Sequence, residues 1–108
     1  MYINEAMESG TAISRIVTTP NVANSLEIIK ETAIANGLYE VEPKDGAYRR
    51  YDSQRNPSDN RGSFTYMDIF IQPNEDQIKI KFLSFTAYPY DKGEILAEIE
   101  KKIKETTN

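Results

Sequence analysis

The sequence predicts an α+β fold: a two-layer sandwich with a mainly antiparallel four-stranded sheet and two helices on one face. Two stretches, one in the first third and one at the end of the chain, carry apolar residues at helical spacing. Two β-like segments near the middle are separated by five turn-forming residues, too few for a crossover. The predicted order is β-α-β-β-β-α, and the simplest way to bury both helices is on one sheet face.

Length and composition indicate one domain. A chain of 108 residues with 39% hydrophobic and 28% charged residues is typical of a single globular domain. We predict a flexible N-terminal arm over residues 1–10 and a core over 11–105. No apolar run reaches the ~20 residues of a transmembrane helix, and no basic-then-apolar leader is present. The location stays open, since a cytoplasmic protein and an exported one with its signal removed both fit.

The residue types exclude several kinds of chemistry. The chain has no Cys and no His, which excludes disulfides, thiolate nucleophiles, Cys/His zinc sites and histidine acid–base catalysis. Thirteen basic and 17 acidic residues give a net charge of −4, which argues against binding of duplex nucleic acid. No Gly-rich phosphate loop or EF-hand spacing occurs. We therefore predict no enzyme activity, no cofactor and no metal site.

The first strand and helix follow from local pattern. The segment Ala12–Thr19 is rich in β-branched residues and predicts a strand. Thr19 is the predicted N-cap of the helix, because a proline follows it, and Asn21 is the competing candidate. Gly37 predicts a left-handed end to this helix, with Leu38 folding back on its last turn. The predicted buried positions are Val22, Leu26, Ile29 and Ala33.

A second strand leads into a long polar segment. Leu38–Pro43 predicts a strand with Tyr39 and Val41 on one face. Pro43–Gly62 is polar and rich in turn residues, and we predict a long excursion there. Part of it, Ala47–Asp52, fits a continued or renewed strand.

The hairpin of Ser63–Ile71 and Gln77–Ala87 has a testable register. Pairing the two strands about the centre of the turn gives three apolar pairs on one face, which predicts that the helices cover it. These pairs are Ile71–Ile78, Ile69–Ile80 and Met67–Phe82. A final helix is predicted to start at an Asp91 cap with Glu94 three residues later. Its apolar face is formed by Leu96, Ile99 and Ile103, supported by Ile95.

The same register predicts a second, uncovered face. Near the turn it pairs Phe70 with Lys79 and Asp68 with Lys81. Further along it becomes apolar and aromatic, with Phe64, Tyr66, Leu83 and Phe85. An open apolar patch of this kind marks an interaction site. The alternative is that the N-terminal arm, or the segment around Tyr48 and Tyr51, folds over it.

Arginine and tyrosine are concentrated in the polar excursion. Pro43–Gly62 has five basic and three acidic residues, whereas the rest of the chain has eight basic and fourteen acidic. Guanidinium groups bind carboxylates and phosphates, and Tyr with Arg is typical of interface hot spots. The candidate binding residues here are Tyr48, Arg49, Arg50, Tyr51, Arg55 and Arg61. The alternative is a solvated loop whose arginines pair with Asp45, Asp52 and Asp59.

These observations favour a small non-catalytic interaction or ligand-binding module that uses the open sheet face and the Arg/Tyr-rich excursion. The expected partner is a protein or a small anionic ligand. Two alternatives remain. One is a homodimeric structural protein that buries the aromatic face, and the other is a small enzyme with a carboxylate or Tyr/Arg site.

Overall fold

A computed structural model describes residues 11–55, 65–71, 76–84 and 92–106. These residues form an antiparallel sheet and two helices, which confirms the α+β class. The N-terminal arm, Phe64, Phe85 and the Asp91 cap lie outside the described residues, as does Arg61. The elements are β1 (Thr11–Thr18), α1 (Val22–Ala35), β2 (Tyr39–Val41), β3 (Arg49–Asp52), β4 (Thr65–Ile71), β5 (Gln77–Ser84) and α2 (Lys92–Thr106).

The sheet has five strands, not the predicted four, in the order β1-β5-β4-β3-β2. The additional strand is β3, which lies inside the polar excursion and reads Arg-Arg-Tyr-Asp. Two of its three charged residues, Arg50 and Asp52, are buried. Apolar alternation predicts strands whose buried side chains are apolar, whereas β3 buries charged side chains. The pattern therefore predicted one strand too few.

Every neighbouring pair of strands is antiparallel. Strands β1 and β2 therefore run in the same direction, but they lie at opposite edges of the sheet. The helix α1 connects them. The strand–helix–strand unit thus spans the whole sheet and does not join neighbouring strands.

The hairpin register is confirmed. Ile71 lies opposite Ile78, Ile69 opposite Ile80, and Met67 opposite Phe82. Apart from Ile71, which is 36% exposed at the strand end, these side chains are buried in the hydrophobic core. The core is completed from the helices by Leu26, Ile29, Ala33, Ile95, Leu96, Ile99 and Ile103. Both helices therefore cover one face of the sheet, which we call the helix face, and the opposite side is the far face.

The N-terminus of α1 shows which of the two candidate residues is the N-cap. Asn21 is the N-cap, because its side-chain oxygen accepts from the Asn24 N–H at 3.0 Å. The preferred assignment of Thr19 was wrong, because the buried Thr19 hydroxyl accepts instead from the Ser25 hydroxyl at 2.7 Å. At the other end Gly37 has a φ of 85°, as predicted.

The backbone after Gly37 completes a Schellman motif. The Leu38 N–H donates to the Ala33 carbonyl and the Gly37 N–H to the Ile34 carbonyl, both at 3.0 Å. Leu38 is 1% exposed, so its predicted return to the helix is confirmed. The carbonyls left over at the helix end are thereby bonded, and the chain turns into β2.

The helix α2 presents its predicted apolar face to the sheet, and an ion pair joins Glu98 to Lys102 at 2.9 Å on its outer side. Among the described residues, neither helix has the length and apolar character needed to cross a membrane.

Candidate interaction surface

The alternation of β3 divides the predicted Arg/Tyr cluster between the two faces of the sheet. Arg50 lies opposite Asp68 and Asp52 opposite Tyr66, on the far face. The odd-numbered residues, Arg49 and Tyr51, lie opposite Ile69 and Met67 on the helix face. Since successive residues of a strand point to opposite sides, the cluster cannot act as one surface.

Tyr51 is a core residue. Its side chain is 0% exposed and packs in the hydrophobic core with Met67. Its hydroxyl is buried, and burial raises the pKa of this phenol, a shift that the neighbouring Arg49 guanidinium opposes. The prediction that Tyr51 binds a partner is therefore corrected, because no partner can reach it without opening the core.

Arg50 is the centre of a buried ionic cluster on the far face. Its Nε donates to Oδ1 of Asp68 at 2.6 Å, and its Nη2 donates to Oδ2 of the same carboxylate at 2.8 Å. Nη2 also reaches Oδ2 of Asp45 at 3.2 Å. The guanidinium lies 3.9 Å from the centroid of the Tyr66 ring. The hydrogen bonds to Asp68 raise the pKa of Arg50.

The turn before β3 places Asp45 for this contact. Asp45 and Gly46 both have positive φ, 57° and 82°, and the Ala47 N–H closes the turn on the Lys44 carbonyl at 3.0 Å. Two successive positive φ values are typical of the tight turns that join antiparallel strands. The pairing of an excursion arginine with Asp45, one of the alternatives above, is thus observed.

Asp68 has a partner that the hairpin register alone does not predict. It does lie opposite Lys81, as expected. Both of its carboxylate oxygens, however, accept hydrogen bonds from Arg50 on the other neighbouring strand. A planar guanidinium matches a carboxylate with two parallel bonds, which an ammonium group cannot do. The charge of Arg50 is therefore already neutralised, and Arg50 is not available to an anionic ligand.

Asp52 is a second buried acid of the far face. It is 1% exposed, and its Oδ1 accepts from the Gln54 N–H at 2.8 Å. Burial raises the pKa of Asp52, and the Gln54 N–H opposes that shift. Sequence analysis noted Asp52 only as a possible ion-pair partner of an arginine, because its burial depends on a strand that was not counted.

The exposed part of the cluster consists of two stacked pairs at the β2–β3 end of the sheet. The Arg55 guanidinium lies 4.6 Å from the centroid of the Tyr39 ring, and that of Arg49 lies 5.4 Å from the centroid of the Tyr48 ring. Tyr39 is 39% exposed and Tyr48 is 52% exposed. Arg49 lies on the helix face and Tyr39, opposite Asp52, lies on the far face, so the two pairs flank the β2 edge of the sheet from its two faces. We call these four residues around the β2 edge the Tyr/Arg surface.

The two arginines of the Tyr/Arg surface differ in their ionic partners. Arg49 lies 3.8 Å from Glu40, in a pair whose side chains are both partly exposed. Arg55 makes no ion pair within the described residues. Sequence analysis missed Tyr39 as a site residue. The antiparallel pairing that places Tyr39 opposite Asp52, close to Arg55, was the missing information.

The predicted aromatic patch is not open throughout. Tyr66 is half-buried under Arg50, and Leu83 is only 1% exposed. The prediction of Leu83 as an exposed contact is therefore corrected. Phe64 and Phe85, the other two residues of that patch, lie outside the described residues, so their part of the prediction is untested.

Side chains suited to a metal ion are not grouped in the described ranges, where no three Asp or Glu residues cluster. Compared with the models of known protein families and with curated proteins, the sequence matches none.

Proposed function

We propose that this chain is a small interaction module that binds a protein segment carrying carboxylates through its Tyr/Arg surface. The observation that carries the proposal is the pair of stacked contacts, Arg55 on Tyr39 and Arg49 on Tyr48. Large side chains held in place before binding lose less conformational entropy when a partner arrives. Tyr and Arg are also the residue types enriched among interface hot spots.

The acidic nature of the partner follows from the arginines. Arg55 has no carboxylate partner among the described residues, and the contact of Arg49 with Glu40 at 3.8 Å is solvent-accessible and weak. Each guanidinium can therefore donate hydrogen bonds to a partner's carboxylate while its flat side stays on the tyrosine ring. Arg50 has a supporting role, because its bonds to Asp68 tie β3 to β4 beneath this surface.

Exposed residues test this function better than the buried Arg50 does. An Arg50→Ala variant leaves Asp68 buried without a partner and loses stability, so reduced binding by it would be ambiguous. Tyr48→Ala and Arg55→Ala remove exposed side chains and leave the buried cluster intact. Ile34→Ala is a matched control, since Ile34 is a large apolar residue that is 53% exposed on α1.

The experiment is selection of a random linear peptide library on the immobilised wild-type chain, followed by affinity measurements on the enriched peptides. We expect acidic peptides whose affinity falls by about 2 kcal/mol, or about 30-fold, in Tyr48→Ala or Arg55→Ala. Ile34→Ala should bind like wild type. Peptides that bind both variants as tightly as wild type would place the binding surface elsewhere and contradict the proposal.

The homodimer alternative uses the far face, where Leu83 and Arg50 are buried and Tyr66 is half-buried. Light scattering of the eluting chain, with Tyr66→Ala as the variant, separates the two. A wild-type dimer that Tyr66→Ala converts to a folded monomer would favour self-association through the far face.

A further inference from the structure

β1 is an edge strand of the sheet, and in the described ranges no strand lies beside its outer side. β1 is the first strand in the sheet order and pairs with β5 on its inner side only. It is eight residues long, and Ile16 in its second half is 57% exposed. A long edge strand with an exposed apolar residue is a template for pairing with another extended chain.

The direction of the free backbone groups follows from one hydrogen bond. The Thr19 N–H donates to the Asp76 carbonyl at 2.7 Å, and this pair continues the β1–β5 register. In an antiparallel ladder, bonded and non-bonded pairs alternate. Val17 and Arg15 therefore bond to β5, whereas Ser14 and Ile16 direct their N–H and C=O groups away from it.

A groove runs beside this edge. It has a volume of about 550 Å³ and is formed by residues 16–18 of β1 and by four residues of α2, namely Glu100, Lys101, Ile103 and Lys104. Arg15 lies 3.8 Å from Glu100, so these two charges offset each other. Lys101 adds a positive charge to the groove of a chain whose net charge is −4.

We propose that the outer edge of β1 binds an extended acidic peptide segment, which adds to the sheet as a sixth strand. Its residues on the helix side carry carboxylates toward Lys101, and its residues on the far face are apolar and lie beside Ile16. Main-chain bonds give such binding its affinity, and alternate side chains give it specificity. A second copy of this chain fits less well, because antiparallel β1–β1 pairing brings together the Lys101 residues of both copies.

The test uses the full ¹⁵N-labelled chain and an acetylated, amidated peptide of sequence Thr-Glu-Val-Glu-Val-Glu-Thr. This peptide presents glutamates on one side and valines on the other. The valines lie opposite Ser14 and Ile16 in the expected pairing, so their N–H groups are the ones that bond to β1. The matched control is the same peptide N-methylated at both valines, which keeps every charge and removes those donors.

We expect saturable amide shifts confined to β1 and α2, and no such shifts with the N-methylated peptide. Lys101→Glu should weaken binding about fivefold, because one attraction is replaced by one repulsion. Ile16→Pro should abolish it by removing an outward donor without touching the β5 ladder. If that variant unfolds, the N-methylated peptide still decides.

Three results would overturn the proposal. These are no saturable shifts with the acidic peptide, equal binding of the N-methylated peptide, and a wild-type dimer in light scattering whose interface maps to β1. The Tyr/Arg surface lies at the opposite edge of the sheet, so this proposal and the proposed function can fail independently.

Discussion

Arg50 and Asp68 bring opposite charges into a place that water hardly reaches, with 7% and 3% of their surfaces exposed. Burying one charge costs several kcal/mol unless it is paired and hydrogen-bonded. Here the two short bonds to Asp68 and the longer bond to Asp45 supply the pairing, and the Tyr66 ring covers the guanidinium. The pair is therefore worth little net free energy, while the loss of one member is expensive.

We expect Asp68→Ala to destabilise the fold by about 3–5 kcal/mol, because Arg50 is left buried and unpaired. Replacing both residues, as Arg50→Met with Asp68→Leu, should recover most of that loss. Chemical denaturation of the singles and the double gives both numbers. The control is Arg15→Ala, which breaks the partly exposed pair with Glu100 and should cost less than about 1 kcal/mol. Equal costs for Asp68→Ala and Arg15→Ala would contradict this interpretation.

Asp52 lowers the stability of the fold as the pH rises, whereas most acidic side chains do the reverse. Burial raises its pKa in the folded state above the ordinary 3.8, so between those two values the folded chain holds the proton more tightly than the unfolded chain. The contribution of Asp52 to stability is therefore present below pH 3.8 and is lost as the pH rises through the folded pKa. Asp52→Asn should remove that loss and keep an acceptor for the Gln54 N–H.

The measurement for Asp52 is the free energy of unfolding of wild type and Asp52→Asn at pH 3 and pH 7. We expect the variant to gain stability relative to wild type on going from pH 3 to pH 7. A difference that stays constant between the two pH values would show that Asp52 does not titrate with a raised pKa.

At the scale of the elements, Asn21 caps α1, which begins at Val22, although the proline beside Thr19 favours an earlier start. The Asn21 side chain bonds to the Asn24 N–H, whereas Thr19 is held by Ser25 and by its backbone bond to Asp76. We expect Asn21→Ala to cost about 1 kcal/mol and Asn21→Asp to retain the cap. Thermal unfolding followed by circular dichroism measures both, and equal stability of the two variants would argue against capping by Asn21.

The sequence predicted those elements whose apolar spacing is regular. The β4–β5 register and the end of α1 at Gly37 needed only local pattern, because alternation and a left-handed glycine determine them. The strand β3 lies within Ala47–Asp52, which fitted a renewed strand but was not counted, because apolar spacing does not mark a strand with buried charges. Its buried position depends on Asp68, eighteen residues further along the chain.

The candidate site was less predictable than the fold. Composition located the Arg/Tyr cluster. It could not show which of its residues lie on which face of the sheet, because that needs the register of β3 against β4. That register places Arg50 and Tyr51 on opposite faces, one in an ionic cluster and one in the apolar core. Tyr48 and Arg55 remain as exposed candidates for binding, and the pairing of β2 with β3 adds Tyr39.

At the scale of the whole molecule, elements from the beginning and the end of the described chain lie side by side. Thr11 in the first strand pairs with Ser84 in the last, and α2 lines a groove with β1. Contacts between residues so distant in sequence slow folding, because the loop must close before they form. The same arrangement places the β1 edge and the Tyr/Arg surface at opposite margins of one sheet. Partners bound at the two proposed surfaces would therefore not compete for space, and the sheet would hold them apart.

The shared direction of β1 and β2 determines what α1 has to do. The chain leaves β1 at one end of the sheet and must enter β2 at the other end, because the two strands run the same way. The 14 residues of α1 rise about 21 Å, which is close to the length of about 26 Å that the eight residues of β1 span. Related chains that keep this sheet should therefore vary in their loops and conserve the length of this helix, which returns the chain from the end of one edge strand to the start of the other.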